Sequence, residues 1–315
     1  MVPTPSADAP LGTPIAAPVP ALAAQDVLFD RSARTTWRLG FDRWAGWLLP
    51  LLFLVAILPI LDLVWYISKT AIPTLTWEIL TSFNYRTVDA LGVPIVSTVE
   101  VLALSTAFAV LLGVFGGIAT AEFLSDRSAG WVRVSANMLA GTPSVVLGYF
   151  GFFTFCIYAG WGYVMMAGVL TLAFFMTPYI FRIADLAYTS IPRPIREAAY
   201  GSGTRPHQYI VKVATPIAFP QVLNGIFLAM AIGLGETAPI VLTTTGSKIL
   251  PPNLFAPVTY MTALIWADFS SPSGSGGYDV ALQCAFLLVV AVVGLNILVR
   301  VISARYRKRL EGLYQ

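Results

Sequence analysis

A short acidic and hydroxyl-rich stretch holds the residues with the clearest chemical potential in this 315-residue chain. It covers residues 233–246, with the sequence GLGETAPIVLTTTG. Hydroxyl groups donate hydrogen bonds to an oxyanion, and a carboxylate accepts one from a protonated anion, pairs with a cation or stays protonated itself. The alternative, of equal weight, is that the carboxylate only joins helices through hydrogen bonds. The residues predicted to line a path for an anion are Glu236, Thr237, Thr243, Thr244 and Thr245.

A second group of candidate residues lies in a polar, cationic segment, residues 190–216, that separates two long apolar runs. Pro194 suits the first turn of a helix and Gly203 can end it, which predicts a short helix followed by a turn. Small side chains on such a helix would let a partner approach its backbone closely, with polar contacts at the rim. The residues expected to form that surface are Arg196, Glu197, Ala198 and Ala199.

Patterns for catalysis and metal binding are missing from the sequence. No lysine follows the GxxxxGK[ST] spacing that surrounds a nucleotide with backbone N–H groups, so the chain cannot hydrolyse ATP by that route. The single histidine, His207, excludes His-rich metal sites and leaves no Ser/His/Asp set. Cys156 and Cys284 lie far apart within apolar runs, and we infer neither a disulfide nor a metal site. We therefore expect no catalytic site, no metal and no cofactor.

The composition is that of an all-α integral membrane protein. Hydrophobic residues make up 57% of the chain and charged residues only 11%, with a mean hydropathy of +0.75, which is far too little charge for a soluble domain. Residues 1–43 are rich in Pro and Ala and lack apolar periodicity, which predicts a disordered cytoplasmic tail before a membrane domain at 44–315. Six predicted spans, each long enough to cross about 30 Å of hydrocarbon, cover 44–67, 95–119, 134–158, 163–188, 217–242 and 280–302.

The basic residues predict the orientation in the lipid bilayer. All but three of the 19 Lys and Arg residues fall on the side of the tail, the exceptions being Lys69, Arg86 and Lys248. Because basic residues concentrate in cytoplasmic loops, both termini and segment 190–216 are predicted to be cytoplasmic. The net charge of +3 has the same cause, and we expect no nucleic acid partner. On the opposite face, residues 261–266 predict a short surface or re-entrant helix.

Acidic residues inside membrane spans are costly and therefore mark candidate functional positions. Asp62 and Glu100 fall near the outer ends of their predicted spans, where an interfacial position is favoured. Glu236 falls late in the fifth predicted span, and Pro239 is expected to break the hydrogen-bond ladder of that helix. A helix disturbed in this way lines a cavity or an interface rather than lipid.

Segment 190–216 resembles the EAA loop of ABC transporter permeases in the spacing of its small and turn-forming residues. Val213 stands where that family has Ile, and Thr215 stands in place of Leu. The resemblance implies a cytoplasmic coupling helix that docks in a groove of an ATPase subunit and passes its movement to the membrane helices. The positions that match the pattern are Glu197, Ala198, Ala199, Gly203, Val213 and Pro216.

Four further stretches resemble the PstA family of phosphate permeases. They are GETAP at 235–239, LAGTPSVVLGYFG at 139–151, IPRPIREAAYGSG at 191–203 and the closing run AVVGLNILVRVISARYRKR. The resemblance implies the MetI-like fold of type I ABC importers in a prokaryotic inner membrane. It also implies a PstC-like permease, a PstB-like ATPase dimer and a PstS-like phosphate-binding protein as partners, with ATP hydrolysis carried out by the ATPase.

One departure from that family concerns the anion path. Permeases of this type often have an arginine four residues before the glutamate of GET, where this chain has Ile232. An arginine–glutamate pair that guides phosphate therefore cannot be transferred to Glu236. Molybdate, sulfate or phosphonate remain alternative substrates, and an ion-coupled secondary carrier with Glu236 as proton site remains an alternative of another class.

Overall fold

A computed structural model describes residues 33–83, 90–244, 246–247, 249–272 and 276–311, with the backbone alone described at 33–45 and 306–311. Regular structure in these ranges is helical throughout, as expected for an all-α membrane protein. The first helix, α1, is Ala33–Ala71. It begins inside the predicted tail, because no proline interrupts the helix-forming sequence between Ala33 and Pro50.

The chain divides into two compact units, Met1–Asp62 and Leu63–Gln315. In the first unit, the described side chains of α1 are almost all exposed, among them Trp47, Phe53 and Ile60. Exposed apolar side chains along a long helix are suited to lipid or to another apolar surface. The first predicted span, 44–67, is confirmed by the longer apolar helical range Gly46–Thr74, which overlaps most of it.

The second unit is built around long apolar helices. Three further predicted spans are confirmed as long helices with slightly different ends, α3 at Gly92–Glu122, α6 at Met165–Thr189 and α11 at Gly276–Glu311. The α3 helix packs along α6, and α8 (Pro206–Gly235) packs against α6 and α11. Their shared core is apolar and includes Leu102, Leu172, Met176, Ile180 and Ala229. A short helix, α2, occupies Trp77–Thr81.

The third predicted span, 134–158, is wrong as one straight helix. It is split into α4, Asp126–Ala140, and α5, Ser144–Tyr158, which are bent by 96°. Pro143 lies at the bend, where it lacks an N–H group and disfavours helical geometry in Thr142. Arg133 of α4 donates to both carboxylate oxygens of Asp185 on α6, at 2.7 and 2.8 Å, which fixes α4 against the long helix.

The fifth predicted span, 217–242, is wrong at both ends. Helix α8 begins at Pro206, passes through a π-helical turn at Ile210–Ala214 and ends at Gly235. Pro239 could not donate to the Gly235 carbonyl and its ring would collide there, so the helix stops before Glu236. Pro239 itself lies in the first turn of α9, Ala238–Val241, where no N–H group is needed.

The predicted helix at 261–266 is confirmed as α10, Met261–Asp268. Its first residues, Met261 and Thr262, are buried, whereas Trp266 is exposed, and α10 packs against α11. The Met261 N–H group donates to Thr98 Oγ1 of α3 at 3.0 Å. The segment that follows α9 is therefore folded back onto the helical core.

Candidate functional site

The predicted short helix in segment 190–216 is present as α7, Arg193–Gly201. Pro194 occupies its first turn, as expected. At its end, Gly203 adopts φ +80° and donates to the Tyr200 carbonyl at 2.9 Å, while the Thr204 N–H group donates to the Ala199 carbonyl at 3.2 Å. These two bonds form a Schellman motif, which requires a left-handed residue at the position of Gly203. The turn that returns the chain to α8 is therefore encoded locally.

The residues of the EAA-like pattern divide between two surfaces. Ala199 and Val213 are partly buried against a cluster around Tyr188 and Tyr209, where α6 meets α8. The exposed members are Glu197, Ala198, Gly203 and Pro216. Glu197 and Ala198 are thus the residues of the predicted partner surface that a partner can contact.

Arg196 faces the membrane helices and not the rim of the exposed surface, which corrects the expectation from sequence. Its Nη2 donates to Glu122 Oε1 at the end of α3 at 2.7 Å, and its Nε donates to the Tyr209 hydroxyl at 3.4 Å. The Glu122 side chain is only 5% exposed and that of Arg196 is 30% exposed. The hydrogen bond to Tyr209, together with the Glu122 carboxylate, raises the pKa of Arg196, so Arg196 stays positively charged beside Glu122.

Two tyrosines complete the attachment of α7. The Tyr200 ring lies 5.2 Å from the ring of Tyr209, a fully buried residue of α8. The Tyr188 hydroxyl of α6 is 2.8 Å from Thr215 Oγ1 on α8. Through the Arg196–Glu122 pair, the Tyr200–Tyr209 contact and the apolar cluster around Tyr188, α7 packs against the ends of α3, α8 and α6.

Sequence reasoning missed the partners of Arg196. Glu122 lies 74 residues earlier in the chain, just beyond the second predicted span. The sequence did contain a signal for this pair, because Glu122 is a carboxylate at the end of an apolar run. It is predicted to lie on the same side of the membrane as the cationic segment 190–216. Asp185, inside the fourth predicted span, was also missed among the acidic residues, although its pairing with Arg133 explains how it is accommodated.

The carboxylate predicted to line the anion path lies at a break between two helices. Glu236 follows the last residue of α8 with extended geometry (φ −73°, ψ 135°) and is half-buried. Its side chain lies near Ser144, the first residue of α5. Its backbone carbonyl accepts from Thr262 Oγ1 at 2.7 Å, and the buried Tyr260 hydroxyl donates to the Gly233 carbonyl at 3.2 Å.

The two interrupted helices meet closely beside this carboxylate. A side-chain carbon placed on Gly148 of α5 would lie 2.9 Å from the Ala238 carbonyl oxygen and 2.8 Å from Leu242 Cδ1. Only glycine allows α5 and α9 to approach this far. The stretches LAGTPSVVLGYFG and GETAP, which are distant in sequence, thus form one junction.

Two of the threonines predicted as oxyanion donors are hydrogen-bonded within their own segment in this conformation. Thr243 and Thr244 are buried, and their hydroxyls donate to the carbonyls of Pro239 and Ile240 in the preceding turn. The Thr237 carbonyl accepts the first backbone hydrogen bonds of α9. Thr245 lies outside the described residues. The role of these threonines in an anion path stays a prediction.

The polar groups that remain at the junction are few. Among the described residues, the ion pairs are Arg133–Asp185 and Arg196–Glu122, and neither includes Glu236. In the same ranges, no three His, Cys, Asp or Glu side chains come together as a metal site. Glu236 and Ser144 can accept and donate hydrogen bonds to a protonated oxyanion, but within the described ranges they have no cation to hold one tightly.

Known proteins with similar sequences are transport proteins. Residues 109–311 match the family described as binding-protein-dependent transport system inner membrane component. The chain is 31% identical to the phosphate transport system permease protein PstA 2 of Mycobacterium bovis, over 81% of this chain and 85% of that protein. It is 25% identical to the probable ABC transporter permease protein YqgI of Bacillus subtilis, over 78% and 90% of the two chains.

Solved structures with a similar fold are ABC importers. The MetNI methionine transporter in an inward-facing conformation matches with a TM-score of 0.57 and 17% identity, over 68% of this chain and 94% of that one. A bacterial importer of the acidic polysaccharide alginate matches with a TM-score of 0.57 and 15% identity, over 85% and 99%. At such identities the likeness establishes the MetI-like fold alone. This chain belongs to the binding-protein-dependent transport system inner membrane components and, among them, to the PstA-type permeases.

Proposed function

We propose that this chain is one permease subunit of an ATP-driven phosphate importer, in which it forms half of the translocation pathway. The observation that carries the mechanical part of the proposal is the attachment of α7 to α3 through the Arg196–Glu122 pair and to α8 through Tyr209. A helix that exposes a small-residue face on one side and is anchored on the other can transmit force from a bound protein. The substrate is inferred from the phosphate transport named in the PstA relatives.

The partners follow from the same family. The exposed face of Glu197 and Ala198 would contact a PstB-like ATPase dimer, a PstC-like permease would supply the other half of the pathway, and a PstS-like protein would deliver phosphate from outside. The distribution of basic residues supports cytoplasmic termini and a cytoplasmic α7 in a prokaryotic inner membrane. ATP hydrolysis then takes place in the partner, and this chain responds to it.

The proposed cycle uses the helix breaks. Closure of the ATPase dimer displaces α7, which carries with it the ends of α3, α6 and α8. Because α8 ends at Gly235 beside the α5–α9 junction, a tilt of α8 changes the surroundings of Glu236. Glu236 and Ser144 would exchange hydrogen bonds with a protonated phosphate oxygen as it passes. Weak, transient contacts of this kind suit a pathway, since tight binding would slow release.

Crosslinking and uptake together test the proposal. Ala198→Cys, exposed on α7, is expected to crosslink to the ATPase in assembled complexes, and both native cysteines are buried and will not interfere. Ala198→Trp should abolish ATP-dependent uptake of radiolabelled phosphate in proteoliposomes while the protein still inserts. Val211→Trp is the matched control, because Val211 is an exposed apolar residue on the neighbouring helix.

Four outcomes would contradict this function. The coupling role fails if Ala198→Cys forms no crosslink to the ATPase, or if Ala198→Trp supports normal uptake. The substrate assignment fails if the complex imports molybdate, sulfate or phosphonate and leaves phosphate outside. Uptake by this chain alone, driven by a pH gradient without an ATPase, would instead identify an ion-coupled carrier.

A further inference from the structure

A groove between α8 and α11 contains polar residues that none of the roles above uses. It consists of two adjoining cavities of about 520 and 190 Å³, both of which are lined by Asn224 and Arg300. Polar side chains on membrane-spanning helices are costly and are retained where they have a partner or a ligand. The groove is therefore a candidate binding site.

The larger cavity contains one cationic and three polar side chains within a lining that is otherwise apolar. Besides Asn224 and Arg300, it is lined by Gln221 and Ser303, and the Ser303 hydroxyl is hydrogen-bonded to the Asn224 side chain. No carboxylate lines either cavity, and among the described residues Arg300 has no ion-pair partner. A guanidinium presents its N–H groups as a fork that matches two oxygens of a phosphate, and neighbouring amides can add single hydrogen bonds.

The smaller cavity continues from the larger one along both helices, and four of its seven lining residues are apolar, beside Asn224, Asn296 and Arg300. Its apolar lining residues are Phe227, Leu228, Ala231 and Val299. From Ile217 to Ala231 the groove follows α8 for about 21 Å, at about 1.5 Å per helical residue. One leaflet of a bilayer, headgroups included, measures about 20–22 Å. The groove thus has the length of one leaflet, with Arg300 where the two cavities meet and an apolar end at Phe227 and Ala231.

We propose that this groove binds an anionic membrane phospholipid. The phosphodiester contacts Arg300, with the amides of Gln221 and Asn224 beside it, and one acyl chain lies along Phe227 and Leu228. Because Arg300 is followed in α11 by the basic residues Arg305, Arg307, Lys308 and Arg309, we place the Arg300 guanidinium near the headgroup level. This site does not depend on which anion the protein transports.

Native mass spectrometry of the assembled complex tests the site directly. The complex is purified from membranes in mild detergent, and retained phosphatidylglycerol and phosphatidylethanolamine are counted. Arg300→Gln is expected to lower phosphatidylglycerol retention about tenfold, as for the loss of a charged hydrogen-bonding group. Arg305→Gln is the matched control, because it removes the same charge from the same helix outside both cavities, and it should retain the lipid.

A second variant changes the apolar end without altering charge. Leu228→Trp adds volume to the smaller cavity and is expected to lower retention of the lipid as well. If Arg300→Gln assembles poorly, Leu228→Trp still tests the proposal. Equal phosphatidylglycerol retention in wild type, Arg300→Gln and Leu228→Trp would overturn the proposal.

The proposal would also be overturned if the groove binds inorganic phosphate or a helix of the partner permease. Inorganic phosphate shares the chemistry of the headgroup, and it is identified if Arg300→Gln reduces phosphate uptake in vesicles of phosphatidylcholine alone while lipid retention is unchanged. A helix of the partner permease is identified if Leu228→Cys crosslinks to that chain in the complex. Lipid retention that depends on Arg300 but not on Arg305, without such a crosslink, supports the phospholipid site.

Discussion

Removal of the Arg196 guanidinium should loosen α7 far more than neutralisation of its carboxylate partner. Arg196→Ala leaves the Glu122 carboxylate, whose side chain is 5% exposed, without its cation. An uncompensated buried charge costs about 3 kcal/mol, the lower end of the usual range because the pair is not completely dry. Glu122→Gln keeps a neutral hydrogen-bond acceptor for Arg196 and should cost about 1 kcal/mol.

Hydrogen exchange of the α7 amides measures these costs, because exchange requires local opening of the helix. The reporters are the N–H groups of Ser202, Gly203 and Thr204, which are bonded to carbonyls of α7. At about 1.4 kcal/mol per factor of ten, Arg196→Ala should accelerate their exchange about a hundredfold and Glu122→Gln about fivefold. Glu197→Gln, which changes an exposed carboxylate of the same helix, is the control and should leave exchange unchanged.

The double variant provides the decisive comparison. Arg196→Ala combined with Glu122→Gln no longer has a buried unpaired charge, so its exchange should be slower than that of Arg196→Ala alone. The reasoning is refuted if the double variant exchanges faster than either single variant, or if the two single variants exchange at the same rate. Either result would mean that the Arg196–Glu122 contact does not hold α7 to α3.

Three further substitutions test other parts of the structure. Gly203→Ala, at φ +80° with open space around it, should cost about 1 kcal/mol through backbone strain alone, measured as faster hydrogen exchange in α7 with normal assembly. Gly148→Val should abolish phosphate uptake but not membrane insertion, because its side chain would overlap the Ala238 carbonyl; normal uptake would mean that the α5–α9 junction is not needed. Thr244→Val should keep uptake near the wild-type rate, since the hydroxyl serves only the Ile240 carbonyl, whereas a large loss of uptake would restore Thr244 to the anion path.

Local signals explain which parts of the fold could be predicted from sequence. Pro194 and Gly203 begin and end α7 through backbone preferences that act within one turn, and the structure follows them. The long apolar runs likewise became helices, because length and hydropathy suffice to indicate a span. The bend at Pro143 was not predicted, because hydropathy alone does not distinguish one continuous span from two helices that meet at a proline.

Contacts between distant segments explain what the sequence could not predict. Arg196 was expected at an exposed rim, but a carboxylate 74 residues away binds it from the side of the membrane helices. The hydroxyls of Thr243 and Thr244 were expected to face an anion, yet a short helix before them offers carbonyls at the right spacing. Neither arrangement can be read from residue types, because each depends on where another helix begins, ends or packs.

The two hydroxyl donors at the end of α8 make its last turn dependent on the chain that follows α9. If the last turn of α8 were displaced, the Gly233 carbonyl would lose the Tyr260 hydroxyl, and the Glu236 carbonyl would lose the Thr262 hydroxyl. Each lost hydrogen bond would cost about 1 kcal/mol. The start of α10 thus fixes the position of Glu236 through its backbone, and a displacement of α10 would change the surroundings of this carboxylate.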